Sequence, residues 1–151
     1  MDNGQNDISA LVAKAWASLA AVPSGRGPLA PALAAYGEAI DGADRAVVAA
    51  DRSYPGKGST AEHKARWKRE LDEARNARAT ARVILDPLLA RARAYATGRG
   101  PAYDAACEAR RDRETPRLAR FARDVDARQA RIGHALDAAT IDAMRRSYLG
   151  Q

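Results

Sequence analysis

Apolar residues recur along this chain in steps of three and four, most regularly between Leu29 and Leu85. Before a Pro- and Gly-containing stretch at Ser53–Thr60 the series runs Leu29, Leu33, Tyr36, Ile40, Ala43, Val47, Ala50 and Tyr54. After it comes Lys64, Trp67, Leu71, Ala74, Arg78, Ala81 and Leu85. Alternating steps of this kind place one seam along a helix. The two series predict two helices folded back as an antiparallel hairpin over about 28–86, with its tip at Arg52–Ser59. A register in which partner numbers sum to 114 pairs Leu29 with Leu85, Ile40 with Ala74, Ala43 with Leu71, Val47 with Trp67 and Ala50 with Lys64. It also sets Tyr36 against Arg78, a cation–π arrangement. On one flank Asp44 and Asp51 oppose Lys68, Arg75 and Arg82. On the other, Ala32, Ala39 and Ala46 oppose Ala77 and Ile84, and this small apolar flank predicts docking of the first and last helices.

The remaining periodic stretches fill in a bundle. Ile8, Leu11, Val12, Ala15, Trp16, Leu19 and Val22 form one inward stripe and predict a helix over 7–22, capped by Asn6 or Asp7. Ser59 and Glu62 have capping-box spacing for the second arm. Asp86-Pro87 and Thr115-Pro116 each read as a cap followed by a first-turn proline, so a helix is expected to start or kink at both. Gly25-Arg26-Gly27-Pro28 recurs as Gly98-Arg99-Gly100-Pro101, and at each a helix should end at the glycine and restart at the proline. A short helix is expected over 101–113. A last one is expected from about 116 to 146, with Leu118, Phe121, Val125, Ile132, Leu136, Ala139 and Met144 inward and Gly133 and Thr140 as points of bending. The expected architecture is all-α, a helical bundle of five or six helices in a single domain over 1–151.

Composition agrees with helix: Ala and Arg dominate, and strand formers are scarce. Arg outnumbers Lys by 21 to 4, in keeping with a GC-rich coding sequence. Cys107 is the single cysteine, so no intrachain disulfide can form. No apolar run approaches the roughly 20 residues of a membrane-spanning helix, and no leader pattern stands at the N-terminus. The expected location is cytoplasmic, with no membrane partner.

The net charge of +6 is uneven. Residues 75–123 hold twelve arginines against Asp86, Asp104, Glu108, Asp112 and Glu114, a balance of +7, which leaves −1 for the rest. Arg75, Arg78, Arg82, Arg91, Arg93, Arg99, Arg110, Arg111, Arg113, Arg117 and Arg120 are therefore the candidate binding residues, for an acidic protein surface or for phosphates.

Candidate chemistry is thin. Gly56-Lys57-Gly58-Ser59 lacks the Lys-Ser/Thr step and the upstream glycine of a phosphate-binding loop. His63 and His134 have no ligand partners at metal-binding offsets. Cys107 has no histidine near it in sequence, and Glu70 with Glu73 is ordinary helix charge patterning. No catalytic, cofactor or metal site is expected, nor a small-molecule substrate. The reading that follows is a non-enzymatic structural or adaptor protein acting through protein–protein binding or self-association. An assembly component of the kind found in phage and bacteria, or a macromolecular inhibitor, fits this description. The alternative is sequence-nonspecific nucleic-acid binding through the arginines of 75–123.

Overall fold

Alanine sets how closely the first three helices of this protein approach one another. A computed structural model describes residues 3–150, with side chains from Ile8 onward. Its elements are α1 (Asn3–Ala21), α2 (Leu29–Arg52), α3 (Ala61–Ala96), α4 (Gly100–Ile132) and α5 (Ala138–Leu149), and the described residues contain no strand. The protein is all-α. Its chain divides into two compact units, Met1–Pro101 and Ala102–Gln151.

The first unit is a three-helix bundle. Helices α2 and α3 form the long antiparallel hairpin, and α1 lies against both. Ala15, Leu19 and Val22 of α1 join Ala32, Ala35, Ala39 and Ile40 of α2 and Ala81, Leu85, Leu89 and Ala92 of α3 in one buried cluster. Six of these eleven residues are alanine, which lets the backbones close in around the two largest fully buried side chains, Leu19 and Leu85. The apolar flank at Ala32 and Ala39 is thus covered by α1. Lys14 pairs with Glu38 at 2.8 Å, and Leu11 packs over Gly42, which orients α1 antiparallel to α2. The expected cap at Asn6 or Asp7 involves side chains outside the described residues. The backbone is already helical there, since α1 begins at Asn3.

The hairpin differs from expectation in register. The Tyr36 hydroxyl donates to Asp86 Oδ1 at 2.7 Å, eight positions beyond Arg78. The accepting carboxylate raises the tyrosine pKa above its ordinary 10.0, because ionisation would place two negative charges together. Arg78 instead reaches Asp44 at 3.5 Å. Trp67 donates its indole N–H to the Ala50 carbonyl at 2.9 Å, three positions past Val47. No Tyr36–Arg78 cation–π contact forms.

The cause lies at the tip. The connecting segment runs back along α3, with Tyr54 set edge-on to Trp67 at 4.9 Å between centroids, Ser59 donating to the Pro55 carbonyl and Lys64 to the Lys57 carbonyl. The first turn of α3 therefore lies beyond the end of α2, which shifts the pairing away from the sum of 114. The cap of α3 is Thr60, which accepts from the His63 N–H at 3.3 Å; Ser59, the expected cap, is committed to the loop.

Both internal prolines fail to break their helices. α3 runs 36 residues through Pro87, and α4 runs 33 through Pro116. Each proline removes one N–H from the ladder. Pro87 sits on the solvent side, beside a Val83 that is 75% exposed, where water can take up the freed carbonyl. On the opposite side Leu85, Leu89 and Ala92 are buried, so packing on both sides of Pro87 favours a continuous helix. Asp86 is consequently a mid-helix partner of Tyr36 and caps nothing. At Pro116 the preceding Thr115 returns its hydroxyl to the Arg111 carbonyl at 2.8 Å.

The repeated Gly-Arg-Gly-Pro segments do end helices, and by one device. Gly25 and Gly98 take φ of 70° and 73°. Arg26 donates to the Ala21 carbonyl as Arg99 does to the Ala94 carbonyl, and each glycine N–H bonds three residues back. This is the Schellman pattern, which needs a left-handed residue after the last turn.

The second unit holds the rest of α4 and α5. Gly133, at φ 77°, ends α4, so the expected last helix is two. The Phe121 and Tyr148 rings lie 5.9 Å apart, Tyr148 donates to Asp124, and Leu136 N–H donates to Gln129 Oε1 at 2.9 Å. No residue from 102 to 150 is buried: Leu118, Phe121, Val125, Leu136 and Met144 are half-buried, while Ile132 and Ala139, expected inward, are exposed.

Two predictions follow from these packings. At Gly37 an added Cβ meets nothing within 4 Å, so Gly37→Ala should raise stability by about 0.5–1 kcal/mol in urea unfolding. At Gly42 the same Cβ would stand 2.9 Å from Leu11 Cδ1, and Gly42→Ala should lose that gain or reverse it. Asp137 caps α5 by accepting the Thr140 N–H, which, with the Thr140 hydroxyl, holds its carboxyl below the ordinary 3.8. A lowered pKa stabilises above the unfolded value and is lost as pH falls through the folded one. Acid should therefore release the Thr140 amide in NMR spectra, whereas Asp137→Asn should keep the cap without the pH dependence.

Candidate binding surfaces

The arginines singled out from the sequence fall in both units. Arg75, Arg78, Arg82, Arg91 and Arg93 lie on α3 and Arg99 in the turn after it. Arg110, Arg111, Arg113, Arg117 and Arg120 lie on α4 beyond Ala102. Several are engaged by the chain's own groups. Arg75 is 3.9 Å from Asp72; Arg78 and Arg82 share Asp44 at 3.5 and 3.9 Å. Arg91 lies over the Tyr95 ring at 5.2 Å. Arg110 donates to Glu114 at 2.7 Å, and that carboxylate raises the guanidinium pKa further. Asp44 thus serves the pairing role read from the sequence, with Arg82 as expected and with Arg78 in addition.

What remains is a row on α4. Arg113, Arg117 and Arg120 recur at steps of four and three, so they share one side of the helix with Arg110. Among the described residues these three make no ion pair. The row borders the half-buried line Leu118, Phe121 and Val125.

The other candidate surface is a groove in the first unit, between α1 and α3. Ile8, Ser9, Val12, Ala13 and Trp16 form one wall, and Ala77, Thr80, Ala81 and Ile84 the other, around a volume of about 600 Å³. None of these residues is charged. Trp16 is 52% exposed and Ile84 40%. The sequence placed Trp16 on the inward stripe. In the fold α1 turns Ala15 and Leu19 into the core and carries Trp16 to the rim, because a helix wedged between two others cannot bury so wide a stripe.

A signal for this was present. From Ile8 to Val22 the only charged residue is Lys14, and its ammonium is held by Glu38. A surface helix ordinarily carries a polar face. Ala77 and Ile84 had been read as a flank awaiting further helices; α1 covers that flank only in part.

Chemically reactive groups do not converge. The His63 ring is exposed near the tip, His134 Nδ1 lies 3.0 Å from the Ala135 carbonyl oxygen, and Cys107 is a half-buried thiol. Among the described residues no three His, Cys, Asp or Glu side chains group to hold a metal ion, and no helix is long and apolar enough to cross a membrane.

The Asp44 pairs are exposed, so Asp44→Asn should cost no more than about 1 kcal/mol, and that loss should shrink in salt; thermal unfolding at two ionic strengths measures both. Comparison of the chain with protein-family models, with curated proteins and with solved structures gives no match.

Proposed function

We propose that this protein works by binding another protein chain, as a non-enzymatic structural or adaptor component, of an assembly or as an inhibitor of a macromolecule. The observation that carries the reading is the uncharged groove between α1 and α3 with Trp16 exposed at its rim. Interface centres are depleted in charge and enriched in aromatic residues, and Trp is the residue type most often decisive in them. A helix with a single paired charge over the fourteen positions 8–21 also leaves apolar surface that a protein partner would remove from water.

A second reading, sequence-nonspecific nucleic-acid binding, is supported by the row Arg113, Arg117 and Arg120. It ranks lower because Arg75, Arg78, Arg82 and Arg110 have carboxylate partners within the chain, which weakens the positive field.

Capture from the native source with the intact chain and with Trp16→Glu as paired baits tests the first reading. A partner held by the intact chain and lost by the variant is the expected result, and equal retention by both would overturn it. Titration of labelled DNA and RNA at low salt separates the second: micromolar or tighter binding that collapses with added salt would reverse the ranking.

A further inference from the structure

We infer that one side of α4 is a track for the phosphodiester backbone of nucleic acid. This rests on the second reading above and goes beyond it by assigning the contact to one helix and one row of side chains.

The first argument is a geometry that only an unbroken helix provides. Along the sequence of α4 acids alternate with arginines and dilute the charge. At 3.6 residues per turn they separate. Arg113, Arg117, Arg120, Arg128 and Arg131 fall in one row, with Asp124 at the step between Arg120 and Arg128. Asp112 and Asp126 fall on other sides. Asp124 accepts the Tyr148 hydroxyl, and Glu114, which borders the row, holds Arg110. A helix break at Thr115-Pro116 would set Arg113 apart from the other four; α4 instead continues through Pro116. The row runs for about 27 Å at 1.5 Å per residue.

The second argument is the make-up of the row. All five arginines are exposed, and among the described residues Arg113, Arg117, Arg120 and Arg131 make no ion pair. No aromatic or large aliphatic residue stands in the row, and Phe121 beside it is set against the Tyr148 ring. Protein interfaces are depleted in charge at their centres and built on apolar anchors, so an acidic protein fits the row less well. Base stacking needs aromatic faces, which the row lacks. The contact therefore falls on phosphates, whose regular charge a regular row matches and which carry no sequence information.

The third is the cost of the row to its own helix. Like charges three and four residues apart repel, and none of the described residues of the second unit is buried to offset this. Phosphates laid along the row would remove the repulsion.

Fluorescence anisotropy of the intact chain with labelled, mixed-sequence duplexes of DNA and of RNA, at low salt and upward, tests this. Arg117→Gln and Arg120→Gln, made singly, should each lower the slope of log affinity against log salt by roughly 0.9, the value of one phosphate contact, and together should cost about tenfold or more in affinity. Arg111→Gln removes the same charge from an exposed position turned away from the row, and should leave the slope unchanged. Where circular dichroism shows that the double variant lowers helicity, Arg113→Gln with Arg131→Gln, at the two ends of the row, takes its place. This pattern with either duplex supports the proposal, and the tighter of the two names the source. An equal loss on Arg111→Gln would overturn the row and leave the nucleic-acid reading standing; no binding of DNA or RNA at low salt would end both. A protein captured from the native source and lost with the row variant, while nucleic-acid binding is unmoved, would give the row to an acidic protein and overturn the proposal.

Discussion

The first unit depends on the close approach of α1 to the α2–α3 hairpin over a floor of alanines. Among the described residues Leu19 and Leu85 are the largest side chains fully enclosed, and small residues around them bring three backbones near enough to exclude water. Truncating either would open a cavity that alanine neighbours cannot fill, a loss of roughly 2–5 kcal/mol for such sites. Everything else in the unit is arranged around that contact. Gly42 admits Leu11, the Schellman turn at Gly25 lets α1 reverse onto α2, and the cost of Pro87 is opposed by the buried residues on its far side, which belong to the cluster.

The same contact explains where packing stops. α1 spans 19 residues against 36 for α3, about 28 Å against 54 Å at 1.5 Å per residue. It reaches only the base of the hairpin. Toward the tip two helices must close on each other without a third, and the device changes accordingly: Trp67 ties its indole to the Ala50 carbonyl and takes Tyr54 on its edge. The second unit carries this further. None of its described residues is buried, and its two helices meet through a ring pair and through polar groups at Asp124 and Gln129. A two-helix element with so little enclosed apolar area has weak means of holding its conformation.

Helical class, the antiparallel hairpin and both Gly-Arg-Gly-Pro breaks were legible from spacing alone, because each is a local property of the chain. Register and boundaries were not. The numbers of Tyr36 and Arg78 satisfy a sum rule, but the rule holds only if the tip is symmetrical, and the tip's path is decided by Tyr54 meeting Trp67. Pro87 and Pro116 are strong local stop signals that the helices ignore; at Pro87 the local penalty is opposed by burial of Leu85, Leu89 and Ala92. Among the candidate site residues, the sequence could list the arginines but not their neighbours. Arg78 reads as a seam residue, whereas it joins the expected Arg82 in pairing with Asp44 across the hairpin.

The groove shows which sequence signal was undervalued. Periodicity asks which residues of a helix point inward, and for α1 it returned a stripe from Ile8 to Val22 with Trp16 included. It does not ask whether the opposite face is polar. In α2 and α3 that face carries acids and bases in ion pairs such as Arg66–Glu70; from Ile8 to the end of α1 Lys14 is the only charge, and its ammonium meets Glu38. An exposed face without charge is hydrated less well than an ionic one, and in a chain this rich in arginine it stands out. The arginine rows mark where the molecule interacts strongly with water and salt. The uncharged side of α1 marks where it gains by leaving water, and that is why the candidate contact surface moves from the basic end of the hairpin to the wall that Trp16 overlooks.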